Sequence, residues 1–358
     1  MQSPQIQTAP GKTRQLPFTT TLLENQLRRH YGDELLTANN VQVYEIRYQR
    51  SSTYTLFGLI VDIKSQKLNF NRINLLVKQA LKARRPSTHI GWREQALYAN
   101  LMDFMPIKSP PLVAADSAGN WLIIEIDPNG RFVDTWRKPD YFLSIDLLAS
   151  LHELFWGLNE DLQNFSFLGR PLDSESSLIL QSAQRGLNRL RQSSDSILSQ
   201  DETLLNSLDL LTKQSNVLVT SLKSLPATLI HGDYWPGNLI IYPASNIYAI
   251  DWQNSAIGPG ILDLVTFIQE CLWWFNPLPF APSDLITRYR SHLHNQRGLS
   301  WSDAEWNLYW DHALLWTFLV DWLEPLSLAS NATLDQHYND LQRVWLKPVQ
   351  EICNLRLK

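Results

Sequence analysis

The chain has 358 residues, 44% of them hydrophobic, with 14 tryptophans against only 14 glycines and a formal net charge of −4. That length and apolar content build sizeable cores and exclude a disordered chain, and the charge gives no reason to expect nucleic acid or an anionic membrane as partner. Cys271 and Cys353 lie far apart without metal-ligand spacing, and there is neither a long apolar run nor a signal-peptide core, so a soluble, cytoplasmic protein with two buried thiols and no obligate protein partner is expected.

Residues 1–18 are polar and aperiodic and predict a loose N-terminal tail. Residues 19–31 carry Leu22, Leu23 and Leu27 against a charged face, the pattern of a short amphipathic helix. Strands follow at 41–48, 54–63 and 73–77, the last running into Lys78, with a turn at 49–53 that contains Ser51 and Ser52 but no glycine. Sixteen residues after Lys78, Glu94 sits in a helical stretch over 92–98, with Lys82, Arg84 and Arg85 as other cations near it in sequence. Two more strands are predicted at 112–115 and 121–126, ended by Asp127-Pro128-Asn129-Gly130. Beyond them come helices at 141–158, 178–198 and 202–222; His152, beside the apolar stripe of the first, reads as a packing or surface histidine.

The stretch richest in chemistry is His-Gly-Asp-Tyr-Trp-Pro-Gly-Asn over 231–238, followed by a β run, a turn at 243–246 and a second β run that leads to Asp251. A hairpin of this kind places Asp233, Asn238 and Asp251 at strand ends, where the backbone is fixed, and two carboxylates with an amide suit metal binding and proton transfer.

The spacing, five residues from Asp233 to Asn238 and thirteen from there to Asp251, resembles that of protein-kinase-like phosphotransferases, and the His-Gly-Asp variant resembles the aminoglycoside phosphotransferase and choline kinase-like family. Trp252-Gln253 is most similar to its ecdysteroid-kinase-like and other divergent branches. The resemblance implies a two-lobed α+β protein-kinase-like fold: an antiparallel N-terminal sheet lobe over 19–127 and a larger, mostly helical lobe over 128–358. It implies ATP and Mg²⁺, with Asp233 as the base for an acceptor hydroxyl and Asn238 and Asp251 as metal ligands. It implies that Lys78, held by Glu94, reaches the nucleotide phosphates, that Ser51 and Ser52 lie on the phosphate-covering turn, and that Glu125 and Ile126 meet the adenine edge through their main chains. His231 and Asp263 would brace the catalytic loop.

The short Gly-Pro-Gly segment after Asp251 and the missing peptide-docking motif point to a small-molecule hydroxyl as acceptor, aminoglycoside-, choline- or natural-product-like. The C-terminal third interleaves Trp273, Trp274, Trp301, Trp306, Trp310, Trp316 and Trp322 with Asp303, Glu305, Asp311, Asp321 and Glu324, a composition suited to a cationic alcohol and equally to core packing. A nucleotide-binding pseudokinase or scaffold, suggested by the glycine-free turn, and a divergent protein kinase are the alternative readings.

Overall fold

The computed structural model describes residues 15–45, 54–80, 90–127, 129–193, 196–243 and 246–358. Most of the expected tail, the turn with Ser51 and Ser52, and Lys82, Arg84 and Arg85 lie outside the described residues. The chain forms two compact units, one of residues up to Asp140 together with Gly237–Asn254, the other of Tyr141–Pro236 and Ser255–Lys358.

The first unit is built on a five-stranded antiparallel sheet of order β1-β2-β3-β5-β4, formed by β1 (Thr37–Glu45), β2 (Tyr54–Lys64), β3 (Arg72–Ala80), β4 (Leu112–Ala115) and β5 (Trp121–Glu125). Side chains alternate across a strand. Phe57, Leu59 and Val61 of β2 and Ile73, Leu75 and Val77 of β3 therefore share one face, closed by Leu23 and Leu27 of α1 (Thr20–Tyr31). Thr19 caps that helix by accepting from the Leu22 amide. The opposite face carries Leu76, Leu122 and Ile124, with Tyr98 of α2 (Ile90–Asn100) packed on it. Each leucine so buried contributes about 1.5–3 kcal/mol.

Three helical expectations are corrected. The helix expected over 141–158 is α3 (Lys138–Leu154), and the Gly157 amide beyond it donates to the Ala227 carbonyl instead of continuing the helix. After a short helix α4 (Asn159–Leu162), the pattern over 178–198 resolves into α5 (Ser176–Gln192) and a 3₁₀ turn at Ile197–Gln200. The one over 202–222 divides into α6 (Glu202–Lys213) and α7 (Ser215–Lys223), because Ser215 turns its hydroxyl back to the Thr212 carbonyl and the Gln214 side chain bonds the Leu357 carbonyl.

The second unit pairs β6 (Thr228–Ile230) with β9 (Ala256–Gly258), whereas β7 (Leu239–Tyr242) and β8 (Asn246–Ala249) form an antiparallel hairpin in the first unit. After β9 the chain is helical: α8 (Ile261–Trp274), α9 (Pro282–Arg297), α10 (Asp303–Thr317), α11 (Leu323–Leu328), α12 (Asn331–Leu341) and α13 (Lys347–Arg356), with π turns at Phe318–Trp322 and Gln342–Leu346. Cys271 and Cys353 are free and buried. No helix among the described residues is long and apolar enough to cross a membrane.

Candidate active site

Lys78 lies within β3, on the same face as Leu76, because the two are separated by one alternation. That is the face covered by α2, and Glu94 and Leu97 lie one helical step apart on its buried side. The strand and the helix thus deliver Lys78 Nζ to within 2.6 Å of Glu94 Oε2. The same ammonium lies 2.6 Å from Asp251 Oδ1 and 4.2 Å from the centre of the Tyr54 ring. The Tyr54 hydroxyl also donates to Asp251 Oδ2. Tyr54 opens β2 and was not expected in this cluster; in sequence it is one more strand aromatic.

Lys78 is 8% exposed and Glu94 only 2%, so both charges depend on each other for compensation. Burial by itself would lower the Lys78 pKa, but the facing carboxylates of Asp251 and Glu94 outweigh it and hold the ammonium above its usual range. Burial raises the Glu94 pKa, and Asp251 adds to the rise while Lys78 opposes it. Lys78→Met should therefore leave Glu94 buried without its partner and cost about 3 kcal/mol of stability at neutral pH. A carboxyl whose folded-state pKa is raised contributes stability below its unfolded pKa and loses it as pH rises through the folded value. The deficit should accordingly widen from acid to neutral pH, and urea unfolding at several pH values measures it; an equal deficit throughout would show that Glu94 does not depend on Lys78.

Asp251 follows β8 with φ of 67°, a left-handed conformation that Asp tolerates better than most residues. The Tyr54 and Lys78 contacts hold its carboxylate there, and the Trp252 amide is 3.3 Å from Glu94 Oε1. Trp252 is fully buried and its indole nitrogen donates to Ser109 Oγ, 2.8 Å away, so the turn after Asp251 is pinned from both ends. Ser109 had no signal in the sequence, since it lies in an irregular segment.

The β7–β8 register pairs Leu239 with Ala249, and one step further the Ile250 amide donates to the Asn238 carbonyl at 2.9 Å. Asn238 and Asp251 therefore stand at the open end of one hairpin, which is why thirteen residues separate them. An amide oxygen and a carboxylate are hard donors that suit Mg²⁺, which takes one or two protein ligands and completes its shell with phosphate and water. No group of three or more His, Cys, Asp or Glu side chains that could hold a metal occurs among the described residues, and Mg²⁺ bound in that manner requires none.

Glu125 and Ile126 end the sheet, with the Glu125 amide donating to the Pro111 carbonyl and the Ile126 amide to that of Asn74. The Glu125 side chain meets His30 Nε2 at 3.1 Å. Both amides are thus taken up within the sheet.

Asp233 belongs to the second unit. β6 is fully buried and ends at Ile230; Gly232 then turns the chain with φ of 78°, a conformation favouring glycine. The Asp233 amide is 3.3 Å from His231 Nδ1, and the fully buried His231 stands edge-on to Tyr234, whose hydroxyl donates to the Ser144 carbonyl at 2.8 Å. From α8, Asp263 accepts the His231 amide at 2.7 Å and the Gly232 amide at 2.9 Å. Two charge-assisted bonds to consecutive amides fix the backbone just before Asp233.

The tryptophans separate into two kinds. Trp306, Trp316 and Trp345 are buried in the helical core, whereas Trp273, Trp274 and Trp322 are only half-buried. Trp273 lies 4.8 Å from Trp322 and 6.0 Å from Trp274, and the Trp274 indole donates to Glu270 at 2.6 Å. Asp321, on the π turn, reaches the surface, yet the protein packed around it and the neighbouring Glu270 push its carboxyl up to about 7.

A choline kinase from Cryptosporidium parvum Iowa II is 15% identical, with a TM-score of 0.59 covering 95% of this chain and 98% of that one. The choline kinase LicA from Streptococcus pneumoniae is also 15% identical, with a TM-score of 0.53 over 92% and 99% of the two chains. An amicoumacin kinase solved with AMP-PNP, Ca²⁺ and Ami is 13% identical, with a TM-score of 0.54 over 93% and 94%. At these identities the likeness is one of fold, a mixed α+β arrangement shared with kinases. No curated protein sequence matches the chain significantly. Residues 135–293, the stretch that holds Asp233, Asn238, Asp251 and Asp263, match the model of the phosphotransferase enzyme family, in agreement with the aminoglycoside phosphotransferase and choline kinase-like resemblance that the same residues carry.

Proposed function

We propose that the chain is an ATP- and Mg²⁺-dependent phosphotransferase that moves the γ-phosphate of ATP to a hydroxyl of a small molecule. The observation that carries this reading is the buried Lys78 ammonium held between Glu94 and Asp251, an extended cation kept in place for phosphate oxygens. Asp233 takes the proton of the acceptor hydroxyl as its oxygen bonds to the γ-phosphorus; the bond from that phosphorus to the bridging oxygen breaks and ADP departs. Asn238 and Asp251 are the ligands proposed for Mg²⁺, which would neutralise charge on the phosphates. His231 and Asp263 hold the loop, and Glu125 and Ile126 meet the adenine through their main chains.

The acceptor proposed is an alcohol that also bears an amine. Support comes from Trp273 facing Trp322 at 4.8 Å, with Glu270 bonded to the neighbouring Trp274 and close enough to Asp321 to raise its carboxyl, since aromatic faces with carboxylates nearby favour a cation by about 0.5–2 kcal/mol per aromatic contact. ADP release with Mg²⁺-ATP across amine-bearing, neutral and acidic alcohols tests both statements: turnover is expected with amines and lost on chelation. Trp273→Ala should raise KM for such acceptors about 3- to 30-fold with kcat little changed. Turnover of neutral or acidic alcohols alone would remove the amine, and binding of ATP with no transfer to any acceptor would favour a pseudokinase.

A further inference from the structure

Asp263 accepts more than the two loop amides. His152 Nε2, from α3, lies 3.2 Å from Asp263 Oδ2, and His152 Nδ1 lies 2.8 Å from the hydroxyl of Tyr289 on α9. All three side chains are at most 1% exposed, so each polar atom depends on a partner inside the protein. Among the described residues, His152 Nδ1 is the hydrogen-bond partner of the Tyr289 hydroxyl. Burial raises the Tyr289 pKa well above its usual value, so the hydroxyl keeps its hydrogen and needs an acceptor for it. Nδ1, 2.8 Å away, stands where it can accept that hydrogen, and in that role it carries none itself. The imidazole hydrogen is then on Nε2, directed at Asp263.

Gly260 supplies an independent observation. Its backbone is helical and asks for no glycine, with φ of −60°. A methyl group there would stand 2.4 Å from His152 Nδ1 and 2.6 Å from the Tyr289 hydroxyl, against the very atoms of this hydrogen bond. The second glycine of the Gly-Pro-Gly segment thus leaves room for the Tyr289–His152 contact.

We infer that Tyr289 is a positioning residue: by donating to His152 Nδ1 it sets the imidazole as the Nε2–H tautomer, which with Asp263 holds the His231-Gly232 backbone and so places Asp233. The chain of hydrogen bonds joins α9, α3, α8 and the loop, elements far apart in sequence. Only its kinetic consequence rests on the proposed phosphotransfer.

The test uses the full chain with ¹⁵N-labelled histidine and needs no variant for its first part. Wild-type His152 should show an unprotonated Nδ1 and a protonated Nε2; a protonated Nδ1 would overturn the inference. In Tyr289→Phe, and by steric displacement in Gly260→Ala, hydrogen exchange of the His231 and Gly232 amides should rise about fivefold to tenfold, the effect of one buried hydrogen bond. With an accepted substrate, kcat should fall by a similar factor while KM for ATP stays constant. Exchange at the wild-type rate in a folded Tyr289→Phe protein would overturn the positioning role. Spectra and exchange as expected without turnover of any acceptor would count against the kinase reading alone.

Discussion

Replacing Asp233 with Asn is expected to slow phosphate transfer on the order of 10²- to 10⁴-fold while nucleotide affinity is retained. The substitution keeps the side chain's size and removes only its ability to accept a proton as a carboxylate. The backbone of the loop should be undisturbed, because its braces are the His231 imidazole behind the Asp233 amide and the Asp263 carboxylate behind the two amides before it. Lys78 and Glu94, in the other unit, provide the proposed phosphate contact independently. Single-turnover transfer and equilibrium ATP binding on the same protein separate the two effects. An undiminished transfer rate would remove Asp233 as the base, and a parallel loss of ATP binding would mean that the loop had been disturbed instead.

Asp251→Asn should lower Mg²⁺-dependent turnover on the order of 10²- to 10³-fold and shift the Mg²⁺ requirement to higher concentration. Asn tolerates the left-handed backbone conformation of φ 67° and can still accept from Tyr54, so the fold should persist. What is lost is one negative charge at the end of the hairpin. Lys78 then faces Glu94 as its remaining carboxylate, and ATP affinity measured without metal should change far less than its enhancement by Mg²⁺. Turnover with the wild-type Mg²⁺ dependence would exclude Asp251 as a metal ligand.

Much of this arrangement is legible in local sequence because it depends on short-range rules. Strand alternation places Lys78 on the α2 face, helix periodicity turns Glu94 inward, and a two-stranded hairpin accounts for the distance from Asn238 to Asp251. Helix ends are less legible: Gln214 looks like any helical residue until the Leu357 carbonyl, 143 positions away, competes for its side chain.

The sequence by itself carried the residue types at fixed spacing on which the proposed chemistry rests and, through periodicity, the strands of the first sheet and the helical character of the C-terminal third. Tertiary structure alone decided which residues complete each cluster. Tyr54 reaches Asp251 across 197 positions, and His152 joins Asp263 and Tyr289 across 111 and 137. It also divided the tryptophans into core and half-exposed sets, and assigned Asp233 and Asn238, five residues apart, to different compact units. The physical reason is that periodicity reports which face of an element is buried, whereas the partner met on that face depends on how distant elements pack, and a hydrogen bond over more than a hundred residues leaves no local pattern.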